Sequence, residues 1–350
     1  MIKAFKIAQK TVGEKESCFI IAEMGLSHDG NFDSAHAFID AAAENGADAV
    51  KFQTHIADAE STPREEFRVK GSFKDATRYD YWKRTAFSEG QWQDLKNHAD
   101  DKKIIFLSSP FSQDAVDLLL GIGVPAWKIA SGETNNYPML EEMTKTGLPF
   151  LLSTGMSRMA EIDRAVELIL KQKCPLILYQ CTNRYPCPSE HIGFNVIEEY
   201  RKRYNVPIGF SDHSGEVCAG IAAYCMGACS LEVHVVSGRE VSGPDVSSSL
   251  TFEEFNSLVS SIRFLERVFN SPVDKEKEAS DLEEVRLLFT KSIVLVRDVK
   301  KGTKIIISDI AFKKPGVGIT PGEVKNVLGK KVVKDLSEGE FLSWEHLTDE

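Results

Sequence analysis

Eight short apolar runs punctuate the first 270 residues, each followed by a polar or glycine-rich turn and then a stretch with helical periodicity. They are Phe19 to Ala22, Ala49 to Phe52, Ile104 to Leu107, Ala126 to Ile129, Phe150 to Leu152, Leu176 to Tyr179, Pro207 to Phe210 and Leu231 to Val235. Apolar runs this short read as strands covered on both faces, and intervening helices make such strands parallel. The helices are visible too: Ser34 to Asn45 sets Ala35, Phe38, Ile39 and Ala42 on one face, and Glu161 to Leu170 repeats the pattern. Eight β-α units over this length predict a (β/α)8 TIM barrel. A doubly wound open sheet is the alternative, weakened because no G-x-G-x-x-G follows the first run.

The rhythm stops after Phe269. Ser271 to Glu284 is crowded with Asp, Glu and Lys and has almost no apolar residue before Leu282, so residues 271–290 read as a linker between a barrel domain, 1–270, and a tail, 291–350. In the tail, Ser292 to Val296 reads as a strand, Asp298 to Gly302 as a turn and Ile305 to Ile310 as a further extended run, which suits a small β-rich domain. Charge divides the same way, plus 2 on the tail against minus 12 on the first 290 residues. With a net charge of minus 10 and no strongly basic block, nucleic acid and anionic membrane are excluded as main partners. No apolar run approaches the ~18 residues of a membrane span, and Met1 to Lys15 lacks a secretory signal, so the expected compartment is the cytoplasm. Seven Cys without a C-x-x-C suit reduced thiols rather than a disulfide framework or structural zinc; Cys225 and Cys229 are at helical spacing for packing.

In a parallel barrel the reacting groups project from the carboxyl ends of the strands. Those ends carry Glu23; Lys51 and Gln53; Ser108 and Ser109; Lys128 and Ser131; Ser153 and Thr154; Asn183 and Tyr185; Ser211 and His213; Glu232 and His234. A polar strand end ordinarily caps the next helix, but eight in succession are not explained by capping. Lys51 and Lys128 each close a buried run, where an unpaired ammonium is costly, so an anionic partner is expected. With Ser109, Ser131 and Ser153 they form a candidate phosphate and carboxylate cradle. A Schiff-base lysine is the competing functional reading, and a structural lysine paired with Glu133 or Asp48 the plain one.

His213 and His234 end adjacent strands and could converge on one divalent ion, leaving open positions for water and substrate oxygens. The alternative keeps one as a core residue and the other as a general base. Ser242-Gly243-Pro244-Asp245 would put Asp245 on a loop over the barrel mouth or merely shape a turn, and Asn135-Asn136-Tyr137-Pro138 carries the same ambiguity. The stretch Arg78 to Arg84 reads as a helix with a solvated basic face in preference to a substrate contact.

These residues fall into motifs that resemble the sialic acid (N-acetylneuraminate) synthases along nearly the whole chain. The matching segments are Ile21-Ala22-Glu23-Met24-Gly25, Ala47 to Thr54, Ser109-Pro110-Phe111-Ser112, Lys128 to Glu133, Leu152 to Met156, Cys181-Thr182-Asn183, Tyr185-Pro186 and Ser211-Asp212-His213. The tail is similar to the antifreeze-like (SAF) domain of that family, with Asp298 to Gly302, Lys314-Pro315-Gly316 and Val327-Leu328-Gly329.

The resemblance implies condensation of phosphoenolpyruvate with an N-acylmannosamine-type sugar to a nonulosonic acid and phosphate, N-acetylneuraminate synthase being the leading reading. Legionaminate or pseudaminate synthesis from a 2,4-diacetamido-2,4,6-trideoxyhexose is the alternative, and the loop Glu60 to Arg84 is where that choice is expected to be made. A catalytically silent saccharide-binding protein is the reading of a different class. The resemblance further implies a divalent cofactor at His213 and His234, Mn²⁺ before Mg²⁺ or Co²⁺, and a proton or charge role for Glu23. Lys51, Lys128, Ser109, Ser131 and Ser153 would hold phosphoenolpyruvate; Asn183 and Ser211 join the substrate-binding set, and Gln53, Tyr185 and Asp245 match sugar contacts. A domain-swapped homodimer is expected, the SAF domain of one copy serving as a lid for the other. Two departures bear on the sugar: Lys314 stands where the family usually has Arg, and Ser27 precedes His28 where Asn is common.

Overall fold

The computed structural model describes residues 4–67, 74–241 and 243–349, so residues 68–73 of the Glu60 to Arg84 loop and Ser242 of the Ser242 to Asp245 turn lie outside the described residues. The chain divides into two compact units, Met1–Phe269 and Asn270–Glu350.

The first unit contains β1 (Phe19–Gly25), β2 (Ala49–Thr54), β3 (Ile105–Pro110), β4 (Trp127–Ile129), β5 (Phe150–Ser153), β6 (Leu176–Cys181), β7 (Ile208–Asp212) and β8 (Ser230–Val236). All eight apolar runs are strands. Their order is β3-β2-β1-β8-β7-β6-β5-β4, and the first and last strands pair in parallel from Phe19↔Ser230 to Glu23↔His234. This pairing curls the sheet into a nearly closed barrel. The one seam without a ladder among the described residues lies between β3 and the three-residue β4. Helices cover the outside. In Phe32–Glu44, Asn31 accepts from the Ser34 N–H at 3.0 Å to cap the first turn, and Ala35, Phe38, Ile39 and Ala42 are the buried face.

Side-chain parity along the strands is what positions the site. On β1, Ile20 and Ala22 point into the core between strands and helices, whereas Phe19 and Ile21 join a second cluster inside the barrel with Ala49, Ile105, Leu107, Ala126, Leu151, Ile177 and Tyr179. Because successive residues alternate faces, the next inward position above that apolar layer is Glu23, Lys51, Ser109, Lys128, Ser153, Cys181, Ser211 and Glu232. A hairpin, Phe5–Ile7 with Lys10–Val12, contributes Ile7 and Val12 to the inner cluster from below. Its strands are too short to show in the sequence pattern.

The second unit has its own core of Ile293, Leu295, Val299, Ile305, Ile310, Ile319, Val327, Val332, Leu336 and Leu342. Ser292–Leu295 pairs antiparallel with Ile310–Lys313, and Lys331–Val332 with Leu347–Thr348. One expectation is corrected here. Ile305 to Ile310 is not one extended run: Ile307–Asp309 is a 3₁₀ turn, in which buried Asp309 accepts from the Ile306 N–H and pairs with Arg297. The segment read as a linker holds helices Lys275–Asp281 and Glu283–Phe289. Its Glu and Lys are good helix formers, and Asp274 caps the first helix by accepting from the N–H groups of Glu276 and Lys277.

Candidate active site

A cavity of ≈ 660 Å³ opens at the carboxyl end of the barrel. It is lined by Glu23, Lys51, Gln53, Ser109, Lys128, Ser131, Ser153, Asn183, Tyr185, Ser211, His213, His234 and Asp245, so the barrel residues singled out in the sequence come together. Lys314 belongs to the second unit, with Nζ 4.8 Å from the Phe289 ring centroid.

The floor is a buried network of two lysines and two carboxylates. Lys51 Nζ lies 2.7 Å from Glu23 Oε2 and 3.9 Å from Glu232 Oε1, while Lys128 Nζ lies 3.2 Å from Glu232 Oε1. Lys128 also donates to Ser153 Oγ at 2.7 Å, Lys51 to Ser109 Oγ at 3.3 Å, and Ser211 Oγ donates to Glu232 Oε1 at 3.1 Å. The plain reading of the lysines is thereby corrected in its partners: Asp48 pairs with Lys10 and Arg263, and Glu133 accepts from Asn136. Glu232 was visible among the strand ends, but only its place between both ammonium groups reveals it as the hub.

The two carboxyls are driven apart. Burial raises the Glu23 carboxyl to about 7, with the Lys51 ammonium opposing it and the Glu232 charge adding to it. Burial also disfavours an ionised Glu232, but Lys128 and Lys51 outweigh it and hold that carboxyl at about 2. Of the ammonium groups, Lys128 is lowered by burial despite Glu232, whereas Glu23 and Glu232 outweigh burial at Lys51 and raise it. A proton near neutrality therefore belongs to Glu23, and with it in place the network is net positive toward the cavity.

On the neighbouring wall the rings of His213 and His234 are 5.3 Å apart. His213 Nδ1 is 2.8 Å from the Thr182 carbonyl oxygen, to which it donates, and Nε2 lies 2.9 Å from the Tyr185 hydroxyl. That pattern leaves Nε2 as the nitrogen facing the cavity. Burial and the nearby His213 push the His234 imidazole well below its ordinary value, so it is a neutral donor. Among the described residues no group of three or more His, Cys, Asp and Glu is arranged to hold a metal. Two imidazoles lining one cavity do suit a divalent ion completed by water or substrate oxygens.

The strand-end loops shape the rest. A bulge between Glu23 and Gly25 ends β1, and Gly25 takes φ +58°, where a Cβ would sit 3.5–3.6 Å from Gln53, Asp245 and His234. Ser131 Oγ accepts from the Gly155 N–H at 2.9 Å, tying the loops after β4 and β5. Ser108 and Thr154, also considered at strand ends, point away: Ser108 bonds Thr54 at 2.7 Å, and Thr154 bonds the Tyr179 carbonyl and the Tyr200 hydroxyl.

One preference from the sequence is overturned. Helix Arg78–Thr85 does not simply show a solvated face, because Tyr81 and Trp82 are buried and line the cavity with Arg78. Trp82 stacks on His55 at 3.9 Å and 4°, Phe111 also stacks on His55 at 4.2 Å and 15°, and Arg78 lies 4.7 Å above the Trp82 ring. His55 went unnoticed, although it extends the inward parity of Lys51 and Gln53 by one step. Glu60, Glu65 and Phe67 line the same wall, and their mixed polarity gave no periodic signal.

Residues 38–274 match the NeuB family and residues 290–348 match the SAF domain. The chain belongs to the NeuB family of sialic acid synthases. This NeuB-family chain is 35% identical over 347 residues to the N,N'-diacetyllegionaminic acid synthase of Legionella pneumophila, covering 97% of each chain. It is 33% identical to the human N-acetylneuraminate-9-phosphate synthase, covering 97% of this chain and 94% of that one. The crystal structure of N-acetylneuraminic acid synthetase from Leptospira borgpetersenii in complex with citrate superposes with a TM-score of 0.72 at 29% identity, over 82% of this NeuB-family chain and 97% of the other. Among the described residues no helix is long and apolar enough to cross a membrane.

Proposed function

We propose that the chain condenses phosphoenolpyruvate with an open-chain N-acylmannosamine-type sugar, releasing phosphate and a nonulosonic acid, as an N-acetylneuraminate-type synthase. The observation that carries this reading is the pair of buried ammonium groups, Lys51 and Lys128, beside Ser109, Ser153 and Ser131 in one cavity with two imidazoles. A small donor bearing both a carboxylate and a phosphate satisfies two buried cations better than a neutral sugar does. Ser109, Ser131 and Ser153 orient its oxygens; Tyr185, Asn183, Gln53 and Asp245 orient the acceptor. Holding the donor's methylene carbon against the sugar's C1 turns an encounter into a local step. A divalent cation, Mn²⁺ in preference to Mg²⁺ or Co²⁺, held by His213 and His234 would polarise the acceptor's aldehyde. Glu23, with a carboxyl raised to about 7, can give and take a proton at the reacting end.

A second acceptor, a 2,4-diacetamido-2,4,6-trideoxyhexose giving a legionaminic- or pseudaminic-type acid, is favoured by the apolar side chains of Leu26, Phe67, Tyr81, Trp82 and Phe111 in the far wall, which suit a deoxygenated carbon. In the second unit, Lys314 carries the charge expected of a lid, and the exposed Val285, Leu288 and Phe289 support docking onto a second copy in a domain-swapped homodimer. Phosphate release is measured with phosphoenolpyruvate, Mn²⁺ and a panel of N-acyl hexosamines including the diacetamido sugars. Turnover with one class assigns the acceptor. Cation and sugar binding without phosphate release for any of them would support a silent saccharide-binding protein instead.

A further inference from the structure

The far wall of the cavity is built largely by the chain that follows β2, and a line of contacts leads to it from the buried Glu23. Gln53 Nε2 is 2.8 Å from Glu23 Oε1, His55 Nε2 is 3.2 Å from Gln53 Oε1, and Glu60 Oε1 is 2.7 Å from His55 Nδ1. An acceptor held at Gln53 with its aldehyde beside Glu23, His213 and His234 runs its remaining carbons toward Glu60, Glu65, Arg78 and Trp82, which line the same cavity.

That wall is the chemical opposite of the floor. The floor sets two ammonium groups among serine hydroxyls, which suits an anion. Among the described residues that line the far wall, Arg78 is the one guanidinium or ammonium group, and it is engaged: its Nη1 lies 3.0 Å from Glu65 Oε1 and its guanidinium 4.7 Å above the Trp82 ring. Glu65 also accepts from the Trp82 indole N–H at 3.2 Å and from the Ser61 hydroxyl. The Arg78–Glu65 pair is neutral taken together, and Glu60 and Glu133 add two more carboxyl groups to the cavity lining. The charge of these four side chains is therefore zero or negative, whether or not Glu60 and Glu133 carry protons. Glu60 Oε2 is buried without a hydrogen-bond partner, on a side chain only 7% exposed. A sugar hydroxyl both donates and accepts, so it can meet that oxygen in either protonation state. A phosphate ester would instead bring about two further negative charges to a wall whose Trp82 and Ser61 donors are spent.

We propose that Glu65 and Glu60 are specificity-determining residues that confine the acceptor to a sugar whose far end is uncharged, excluding one that carries a phosphate there. Glu65 does so by occupying Arg78, the cation a phosphate would need, and Glu60 by setting a further carboxyl beside the same place. The inference rests on the cavity being the site of condensation and narrows the class of sugar that enters it.

The test uses the full chain with Mn²⁺ and saturating phosphoenolpyruvate, so that the floor is occupied, and compares N-acetylmannosamine with its 6-phosphate, which differ only by that group. In the wild type kcat/KM for the 6-phosphate should be lower by about 100-fold or more, since like charges brought together disfavour a wrong partner. Glu65→Gln keeps an oxygen for Trp82 and Ser61 but releases Arg78. It and Glu60→Gln should each raise kcat/KM for the 6-phosphate by about tenfold or more, mainly through KM. Loosened packing does not give an absolute gain on one substrate, and melting temperatures check that both variants fold. A wild type that uses the 6-phosphate as well as the free sugar, or two folded variants that leave the ratio between the sugars unmoved, overturns the proposal. Should neither sugar turn over, titration calorimetry of both, with inorganic phosphate saturating the floor, makes the same comparison of wild type and variants as affinities. The functional reading falls only if the diacetamido sugars are inert as well, so the two failures are told apart.

Discussion

Glu232 is where the electrostatics of the cavity floor can be tested most sharply. Its carboxylate is the only group within 4 Å of both Lys51 and Lys128 among the described ion pairs. Holding that carboxyl at about 2 against an ordinary 4.5 corresponds to about 3 kcal/mol in favour of the ionised form, at the low end of the ~3–5 kcal/mol for breaking a buried pair. The sign follows: this stabilisation is complete above about pH 4.5 and is lost as pH falls through about 2. Glu232→Gln keeps the shape and the acceptor for Ser211 but leaves two buried ammonium groups with one carboxylate. At pH 7 the barrel should lose about 3 kcal/mol, a fall of roughly 6–12 °C in melting temperature for a unit of this size. The loss should shrink in alkali, where Lys128, already lowered by burial, sheds its proton. An anion entering the cradle restores the missing charge, so inorganic phosphate should bind the variant more tightly, by up to roughly 100-fold. Scanning calorimetry and titration calorimetry read the two effects. A melting temperature within a degree of wild type, together with unchanged phosphate affinity, would show that the lysines do not depend on Glu232.

Three further outcomes are expected. Because the Glu23 carboxyl is raised to about 7, the fold favours its proton, and the stability this gives is present below about pH 4.5 and lost as pH rises through 7; Glu23→Gln should therefore melt increasingly above wild type from pH 5 to pH 8, with turnover lost, and parallel melting curves would remove the assignment. His213→Ala should abolish measurable divalent-cation binding by calorimetry while the far-ultraviolet circular dichroism stays unchanged, and undiminished cation affinity would refute ligation by that imidazole. Removing residues 291–350 should raise the KM for the acceptor sugar by at least tenfold with a smaller change for phosphoenolpyruvate, and wild-type kinetics in that truncation would contradict a lid role for the second unit.

Much of the barrel is legible because parallel strands buried on both faces must be apolar throughout, so each of the eight runs stands out against its polar turns. The same burial explains why lysines at two strand ends pointed to an anion. The N-terminal hairpin escaped because three-residue strands carry no period, and the helices at 275–289 because Lys275–Asp281 has no apolar stripe and Glu283–Phe289 is only about two turns long. Trp82 and Tyr81 were misjudged as part of a solvated face because the charged residues around them in Arg78 to Arg84 dominate the local pattern, while their burial depends on His55, Leu26 and Phe67, all distant in sequence.

By itself the sequence determined that alternating inward positions, one step above an apolar layer, would carry Glu23, Lys51, Lys128 and Glu232, because strand parity is a local property of the backbone. Only the tertiary structure decided which ammonium pairs with which carboxylate, that Glu232 serves both lysines, and that Glu60 reaches Glu23 through His55 and Gln53. Those choices depend on strand register and ring closure, which bring β1 beside β8 across more than 200 residues of chain, and no local pattern encodes a distance of 3 Å between groups so far apart.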